Sequence, residues 1–203
     1  MARIYDVDPG VQAWAFLDPT YALAQARAAD ERRLNGPPTG ALHGVPVAIK
    51  DIFDTADFPT EYGSPLFAGH TPSRDATVVA RLRAAGAVIL GKTVTTEFAY
   101  FSPGKTRNPQ NTEHTPGGSS SGSAAAVGAE MVPLSIGSQT NGSTIRPAAY
   151  CGVVGFKPTH GLISRYRALA LSRTFDHVGL FARSIADIAL MTEQLVGHDE
   201  NDP

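Results

Sequence analysis

The stretch GGSSSGS at residues 117–123 places three consecutive hydroxyl side chains between glycines. Such a stretch fits a flexible linker, a phosphate-binding loop, or a serine held for catalysis. A second serine, Ser143, follows 24 residues after Ser119, and Lys50 ends the apolar run VPVAIK. Two serines and a lysine can form a proton relay, in which an uncharged lysine takes the proton of the serine that attacks a carbonyl group.

A helix and a returning strand are the elements that must bring these residues together. The segment GSAAAVGAE predicts a helix of small residues, and MVPLSIG predicts a strand. A helix of about ten residues rises roughly 15 Å, and a strand of about six residues covers roughly 20 Å. The chain therefore returns near its starting point, and Ser119 and Ser143 are expected to face each other at one edge of a sheet. Lys50 can reach the same edge from the end of its own strand.

The glycines beside both serines have a physical purpose, because they allow positive φ and let backbone N–H groups approach one point. The SQTNGS loop therefore predicts an oxyanion hole. Its donors would be the N–H groups of Thr140, Asn141, Gly142 and Ser143. Ser120 and Ser138 are interpreted as residues that support the relay by hydrogen bonds, with helix-cap and loop roles as the alternatives.

Other segments alternate between helical and extended patterns. Helices are predicted for DPTYALAQARAADERRL, with Asp18 as N-cap, for RDATVVARLRAAG, and for SIADIALMTEQLVG, which Ser184 caps and Gly197 ends. Strands are predicted for VPVAIK, AVIL and CGVVGF. Helices alternating with buried strands favour an α/β fold.

Composition excludes several classes of protein. A chain of 203 residues with 42% hydrophobic and 18% charged residues is typical of a globular domain. A net charge of −2 argues against nucleic acid or a membrane surface as partner, and the chain lacks a long apolar run, so a cytoplasmic location is expected. Cys151 is the single cysteine and is interpreted as a small buried apolar residue. No metal or other cofactor is expected, since C-x-x-C and H-E-x-x-H are both absent.

Residues 86–93, GAVILGKT, match the G-x-x-x-x-G-K-[ST] pattern of nucleotide-binding P-loops. In a P-loop the strand precedes the first glycine, and the variable residues curl around phosphate. Here the variable residues AVIL themselves predict a strand, whose N–H groups would pair with neighbouring strands. The match is therefore interpreted as accidental.

Three segments, GGSSSGSAAAV, GSQTNGSTIRP and GVVGFKPTHGLIS, together resemble the amidase signature family of serine amidohydrolases, and similar segments run through nearly the whole chain. The resemblance implies α/β/α layers around a mixed β-sheet. It also implies a Ser-Ser-Lys triad, in which Lys50 is the base, Ser119 is the bridging serine after a cis peptide bond, and Ser143 is the nucleophile. The expected reaction is hydrolysis of a small-molecule carboxamide through an acyl-enzyme intermediate.

Two positions depart from the common family pattern. Many members have Asp-x-Gly-Gly-Ser before the nucleophile, whereas this chain has Gln139-Thr140-Asn141-Gly142-Ser143. Asn141 tolerates positive φ and keeps its N–H, so the oxyanion loop is expected to survive. The segment STIRP places Arg146 three residues after Ser143, where it resembles malonamidase-like and allophanate or biuret hydrolase-like members. Arg146 is expected to bind a substrate carboxylate, with an ion pair to a nearby protein carboxylate as the alternative.

Family members are usually more than twice this length. Residues 1–203 are therefore expected to form a single domain, the N-terminal part of an amidase core that is truncated at its C-terminus. A homodimer, or pairing with a missing C-terminal half, would cover the apolar surface that such a piece exposes. The alternatives to an amidase are an inactive fragment or binding remnant, a component of an amidotransferase that works with partners, and a P-loop protein.

Overall fold

The computed structural model describes residues 1–202 and contains one six-stranded sheet. Its strands are β1 (Trp14–Leu17), β2 (Pro46–Lys50), β3 (Val88–Thr93), β4 (Leu134–Gln139), β5 (Val154–Phe156) and β6 (His177–Ala182). The order across the sheet is β1-β3-β2-β4-β6-β5. The central strands β3, β2 and β4 are parallel, while β1, β6 and β5 join antiparallel. The sheet is therefore mixed, as predicted.

Six α-helices accompany the sheet: α1 (Ala2–Val11), α2 (Pro19–Asn35), α3 (Thr77–Ala84), α4 (Ser121–Gly128), α5 (Ile145–Cys151) and α6 (Ile185–Leu195). Two short 3₁₀ turns lie at Pro65–Phe67 and Glu97–Ala99. The predicted N-caps hold, because the side chain of Asp18 accepts from Tyr21 N–H and that of Ser184 accepts from Asp187 N–H. Each cap satisfies a donor that has no partner inside its helix.

Both faces of the sheet are covered by helices, and the alternation of side chains along β2 shows how. Val47 and Ile49 point into an apolar cluster shared with α3 and α6, whereas Ala48 points into a second cluster shared with α1, α4 and α5. Val47, Ala48 and Ile49 are all fully buried. This arrangement confirms the predicted α/β fold with layers on either side of a mixed sheet.

Four elements were not predicted from the sequence: α1, β1, α5 and β6. The helix α1 contains Pro9, and α5 begins at Ile145 directly after the serine loop, so their local patterns are weak. Strand β6 pairs with β4 along its whole length, from Leu134 opposite Ala182 to Gln139 opposite His177. Strand pairing stabilises β1 and β6, and packing against the sheet stabilises α1 and α5, so none of the four depends on local propensity alone.

Helix α4 packs unusually close to the sheet because its residues are small. Residues 121–127 are all buried, and a Cβ added at Gly122 would collide with the backbone of Ala13 and Val94. Gly122 N–H donates to the Val94 carbonyl oxygen at 2.9 Å, which ties the helix to the chain that follows β3. The start of α4, and Ser119 before it, are thereby held against the sheet.

We expect Gly122→Ala to lower the free energy of unfolding by about 1–3 kcal/mol, because backbone atoms cannot move aside as a side chain can. Gly10→Ala in α1 is the matched control, since a Cβ at that position meets nothing within 4 Å. The control should be neutral or stabilising by about 0.5–1 kcal/mol. Urea denaturation of both variants checks this, and equal effects would contradict the close packing of α4.

Candidate active site

Three chain segments deliver Lys50, Ser119 and Ser143 to one edge of the sheet. Lys50 is the last residue of β2, which runs parallel to β4 with Val47 opposite Leu134 and Ile49 opposite Ile136. The carboxyl ends of the two strands therefore lie at the same edge. Ser143 follows β4 at this edge, and Ser119 stands just before α4. The backbone joins the two serine segments, because Ser120 N–H donates to the Ser143 carbonyl oxygen at 3.4 Å.

Lys50 is completely buried, and its amine meets two hydroxyl groups. Its Nζ lies 2.7 Å from Ser119 Oγ and 2.7 Å from Ser138 Oγ. Burial lowers the pKa of Lys50 from 10.5 to about 7, and the charge of Asp176 opposes that shift. A lysine in such a site is uncharged in a large part of the molecules at neutral pH, which is the condition for accepting a proton.

Ser119 and Ser120 are both held firmly. The peptide bond between Gly118 and Ser119 is cis, and the Ser119 carbonyl oxygen accepts from Thr96 N–H at 3.2 Å. Ser120 Oγ donates to the Ser138 carbonyl oxygen and accepts from Ser138 N–H, both at 3.1 Å. Ser120 therefore links the start of α4 to the end of β4, and Ser138 contacts Lys50 directly.

Ser143 lines a cavity of about 350 Å³ together with Ser119, Thr140 and Arg146. Ser143 is 8% exposed, so a ligand in the cavity could reach its hydroxyl. Among residues 1–202 the Ser143 hydroxyl forms no hydrogen bond, so the expected link from Ser143 to Ser119 is not made here. The structure thus contains the hydrogen bond that Lys50 Nζ donates to Ser119 Oγ, and it leaves the Ser143 hydroxyl without a hydrogen bond to Ser119.

The loop between β4 and α5 keeps its backbone donors free. Within the described chain the N–H groups of residues 140–143 donate to no protein acceptor, whereas Thr144 N–H and Ile145 N–H both donate to Gln139 Oε1 at 3.0 Å. Gln139 therefore caps α5 with a neutral acceptor. Gly117 adopts a positive φ of +76°, whereas Asn141 and Gly142 do not use the positive φ that both residue types tolerate. The cap by Gln139 shapes the loop in place of glycine freedom.

Arg146 points into the same cavity. Its Nη1 donates to the Gly118 carbonyl oxygen at 3.4 Å, and a Cβ at Gly142 would lie 2.7 Å from its Nη2. No carboxylate of the described residues forms an ion pair with Arg146, so the alternative of a structural ion pair is not found. The guanidinium faces the space beside Ser143 and remains able to meet a ligand.

Sequence reasoning missed two polar residues of the site, Gln139 and Asp176, and the apolar rim of the cavity. Gln139 was visible as a departure from the family pattern, but its capping role was not predicted. Asp176 gave no signal, since it lies 33 residues after Ser143 in an irregular segment. The rim includes Tyr100 and Phe101, each 67% exposed, together with Leu171.

The P-loop interpretation is excluded by the structure of residues 86–93. Val88–Thr93 form the buried strand β3, so these backbone groups bond to β1 and β2. Lys92 is buried against Asp51, with its Nζ 3.2 Å from the carboxylate. The same Nζ donates to the carbonyl oxygens of Phe53 and Pro59 and to the Thr60 hydroxyl. Lys92 therefore braces the loop after Lys50 and presents nothing to a phosphate.

Three other kinds of feature in residues 1–202 would point to a different function: a metal site, a reactive thiol and a membrane-spanning helix. No group of three histidine, cysteine or acidic side chains among residues 1–202 is arranged to hold a metal ion. Cys151 is buried, and desolvation raises the pKa of its thiol to about 12, which agrees with its interpretation as an apolar residue. None of the helices in residues 1–202 combines the length and hydropathy that a membrane crossing needs.

Known proteins share this fold and sequence. A glutamyl-tRNA(Gln) amidotransferase subunit of Chloroflexus aurantiacus is 46% identical over 208 residues, an alignment covering 100% of this chain and 43% of the relative. The structure of peptide amidase from Stenotrophomonas maltophilia superposes with a TM-score of 0.94 at 41% identity, covering 100% of this chain and 44% of the other. The corresponding glutamyl-tRNA(Gln) amidotransferase subunit from Thermotoga maritima gives a TM-score of 0.86 at 39% identity, covering 99% of this chain and 43% of the other.

The chain thus spans less than half the length of the relatives it matches. Within that span the match is continuous, since the family model described as Amidase covers residues 1–203. The resemblance inferred from the serine and glycine segments is confirmed. The chain belongs to the amidase family.

Proposed function

We propose that this chain carries the catalytic residues of an amidase that hydrolyses a carboxamide bond through an acyl-enzyme intermediate. The observation that supports this most strongly is the environment of Lys50, a fully buried amine between two serine hydroxyls with a pKa lowered to about 7. Lys50 forms no ion pair with any carboxylate of the described residues that would hold its positive charge, and a base that works at neutral pH needs such a desolvated site.

In the first half of the reaction Ser143 Oγ attacks the carbonyl carbon of the amide. Its proton passes to Ser119 while the Ser119 proton passes to the neutral amine of Lys50. The backbone N–H groups of residues 140–143 stabilise the negative charge on the former carbonyl oxygen. When the intermediate collapses, the C–N bond breaks, and Lys50 returns the proton through Ser119 to the departing nitrogen.

In the second half a water molecule attacks the acyl group on Ser143. The same relay removes a proton from the water and returns one to Ser143 Oγ as the ester bond breaks. The products are a carboxylic acid and either ammonia or an amine. No step needs a metal ion or an organic cofactor, because the amine, the hydroxyls and the backbone donors supply every proton transfer and charge contact.

The substrate is proposed to be a small amide that carries a carboxylate, since Arg146 faces the cavity beside Ser143. Residues 1–203 are proposed to form one domain that corresponds to the N-terminal part of longer amidases. A homodimer, or a pairing with the remaining half of the fold, would complete the walls of the cavity. A cytoplasmic site of action is proposed together with this small-molecule chemistry.

A second candidate is the glutaminase step of an amidotransferase, because the curated relatives include components of such enzymes with 46% identity. Both candidates release ammonia from an amide by the same triad, and they differ in substrate. Ammonia release from glutamine alone would favour the amidotransferase, whereas release from other carboxylated amides would favour a free-standing amidase. Arg146→Met should raise KM for a carboxylated amide without a similar effect on a neutral one.

A fluorophosphonate probe tests the nucleophile directly. After circular dichroism has shown that the chain is folded, intact mass and peptide mapping should find one adduct on Ser143, because this hydroxyl is the one that the relay activates. Ser143→Ala should remove the adduct. Ser121→Ala is the matched control, since this buried serine lies in the same segment as Ser119 and donates to the Val94 carbonyl oxygen. An unlabelled but folded chain would favour the inactive remnant.

A further inference from the structure

Asp176 stands directly before β6, at a position that the antiparallel register places beside the oxyanion loop. Gln139, the last residue of β4, is opposite His177, the first residue of β6. Thr140 and Asp176 extend these strands by one residue each, so they meet across the same edge. The chemistry described above does not use Asp176.

The carboxylate of Asp176 joins two walls of the cavity that contains Ser143. One oxygen, Oδ1, accepts from the Thr140 hydroxyl at 2.6 Å. The other oxygen, Oδ2, accepts from Leu171 N–H at 2.7 Å and from Ser172 N–H at 2.8 Å. Thr140 and Leu171 both line the cavity. Three hydrogen bonds to one charged group are strong enough to hold the loop and the wall at a constant separation.

We propose that Asp176 is a positioning residue, which fastens the oxyanion loop to the wall at Leu171 and acts on Lys50 through its charge without touching the substrate. This inference rests on the proposed function. Correct placement of oxyanion donors matters greatly for rate, because their contribution depends on fixed distances to the developing charge.

The negative charge of Asp176 also affects Lys50, separately from the three hydrogen bonds. The charge of Asp176 favours the protonated form of Lys50 and so opposes the lowering of its pKa by burial. A cavity of about 40 Å³ is lined by Asp176, Thr140 and by Ser138, the residue that contacts Lys50. Asp176 therefore borders the same small cavity as a residue that contacts the Lys50 amine, and a charge in such an enclosed place is screened less than one in open solvent.

Several other charged or titratable groups surround Asp176. Arg165 Nη1 donates to the Asp176 carbonyl oxygen at 3.4 Å, and Arg165 is ion-paired with Asp202. The rings of His160 and His177 lie 5.3 Å apart, and burial lowers the pKa of His177. Arg173 lines the same small cavity. None of these groups is changed in the variants below, so their influence is common to all of them.

The test measures the rate of fluorophosphonate capture by Ser143 against pH in the full encoded chain. Asp176→Asn should slow capture about tenfold or more, because an amide cannot accept from all three donors. It should also move the pH midpoint of capture downward, since the charge that favours protonated Lys50 is gone. Thr140→Val should slow capture but keep the midpoint, because it removes one hydrogen bond and leaves the charge. Asp6→Asn, a surface change in α1 beside Arg3, should behave as wild type.

An Asp176→Asn protein that is slower but keeps the wild-type midpoint would reduce Asp176 to a structural residue and overturn the inference. Wild-type rate and midpoint in that variant would overturn it as well. If Asp176→Asn does not fold, Thr140→Val becomes the decisive variant. A wild-type rate of capture in Thr140→Val would contradict the proposal that Asp176 fastens the loop to the wall at Leu171. Absence of capture in the wild-type chain would instead be a failure of the proposed function, and the inference would fall with it.

Discussion

Replacing Lys50 with methionine is expected to slow capture and turnover at Ser143 by about 10²–10⁴-fold at neutral pH. Methionine has an unbranched side chain of similar length, so it fills the buried site without supplying a base. In the wild type, the rate should rise with pH through about 7, because Lys50 loses its proton there. A rate that is flat between about pH 5 and pH 9 would contradict the relay.

Lys50→Arg distinguishes the requirement for a base from the requirement for a positive charge. A guanidinium stays protonated at all working pH values, so this variant keeps a cation near Ser119 but cannot accept a proton. Lys50→Arg should therefore slow capture as strongly as Lys50→Met, by about 10²–10⁴-fold. Retained activity in Lys50→Arg would show that a positive charge, and not a base, is what the site requires.

The substitution Lys50→Met should also change how stability depends on pH. The Lys50 pKa is 10.5 in the unfolded chain and about 7 in the folded one, so between these values the unfolded chain binds a proton that the native chain has released. The free energy of unfolding of the wild type therefore rises with pH across this window, by about 2 kcal/mol from pH 7 to pH 9. The stability that is lost by burying Lys50 is largest below pH 7. Lys50→Met should lack this rise, and urea denaturation at several pH values measures the difference.

Asp51→Asn is expected to lower the free energy of unfolding by about 3 kcal/mol, because it leaves the buried Lys92 without its counter-charge. Both side chains are almost fully buried and lie 3.2 Å apart. Burial already lowers the pKa of Lys92 to about 8, and the charge of Asp51 opposes this shift. Because Lys92 also braces the loop that follows Lys50, capture at Ser143 should slow together with the loss of stability.

Two further variants distinguish the ion pair from a general effect of lost charge. Adding Lys92→Met to Asp51→Asn should recover more than half of the lost stability, because no buried charge then remains unpaired. Asp57→Asn breaks the partly exposed pair with Arg83 and should cost less than about 1 kcal/mol. Equal losses from Asp51→Asn and Asp57→Asn would contradict the importance assigned to burial.

Much of the fold was predictable because several segments carry strong local patterns. The helices that begin after Asp18 and Ser184 have clear caps, and the strands at VPVAIK and AVIL are short apolar runs rich in β-branched residues. The elements that escaped prediction have weak patterns of their own. Strand β6 is extended because β4 and β5 pair with it on both sides, and the pairing with β4 joins Leu134 to Ala182, far apart along the chain.

The candidate site was likewise predictable only in part. Lys50, Ser119 and Ser143 were identified from residue type, spacing and resemblance, and the structure places them around one edge of the sheet, although their catalytic roles remain proposals. Asn141 and Gly142 could adopt positive φ but do not, and the sequence did not predict that the Gln139 side chain would cap α5 beside this loop. Asp176 could not be found, since nothing local distinguishes it from any other aspartate in a loop.

The sequence alone determined the family, the alternation of helices and strands, and the residue types available for chemistry at the ends of β2 and β4. Only the tertiary structure decided that Lys50 is fully buried, that its amine contacts both Ser119 and Ser138, and that Asp176 accepts hydrogen bonds from Thr140 and Leu171. The physical reason is that helix and strand periodicity depends on neighbours within a few residues. A pKa or a charge contact depends instead on burial and distance among segments far apart in the chain, which become neighbours when the sheet assembles.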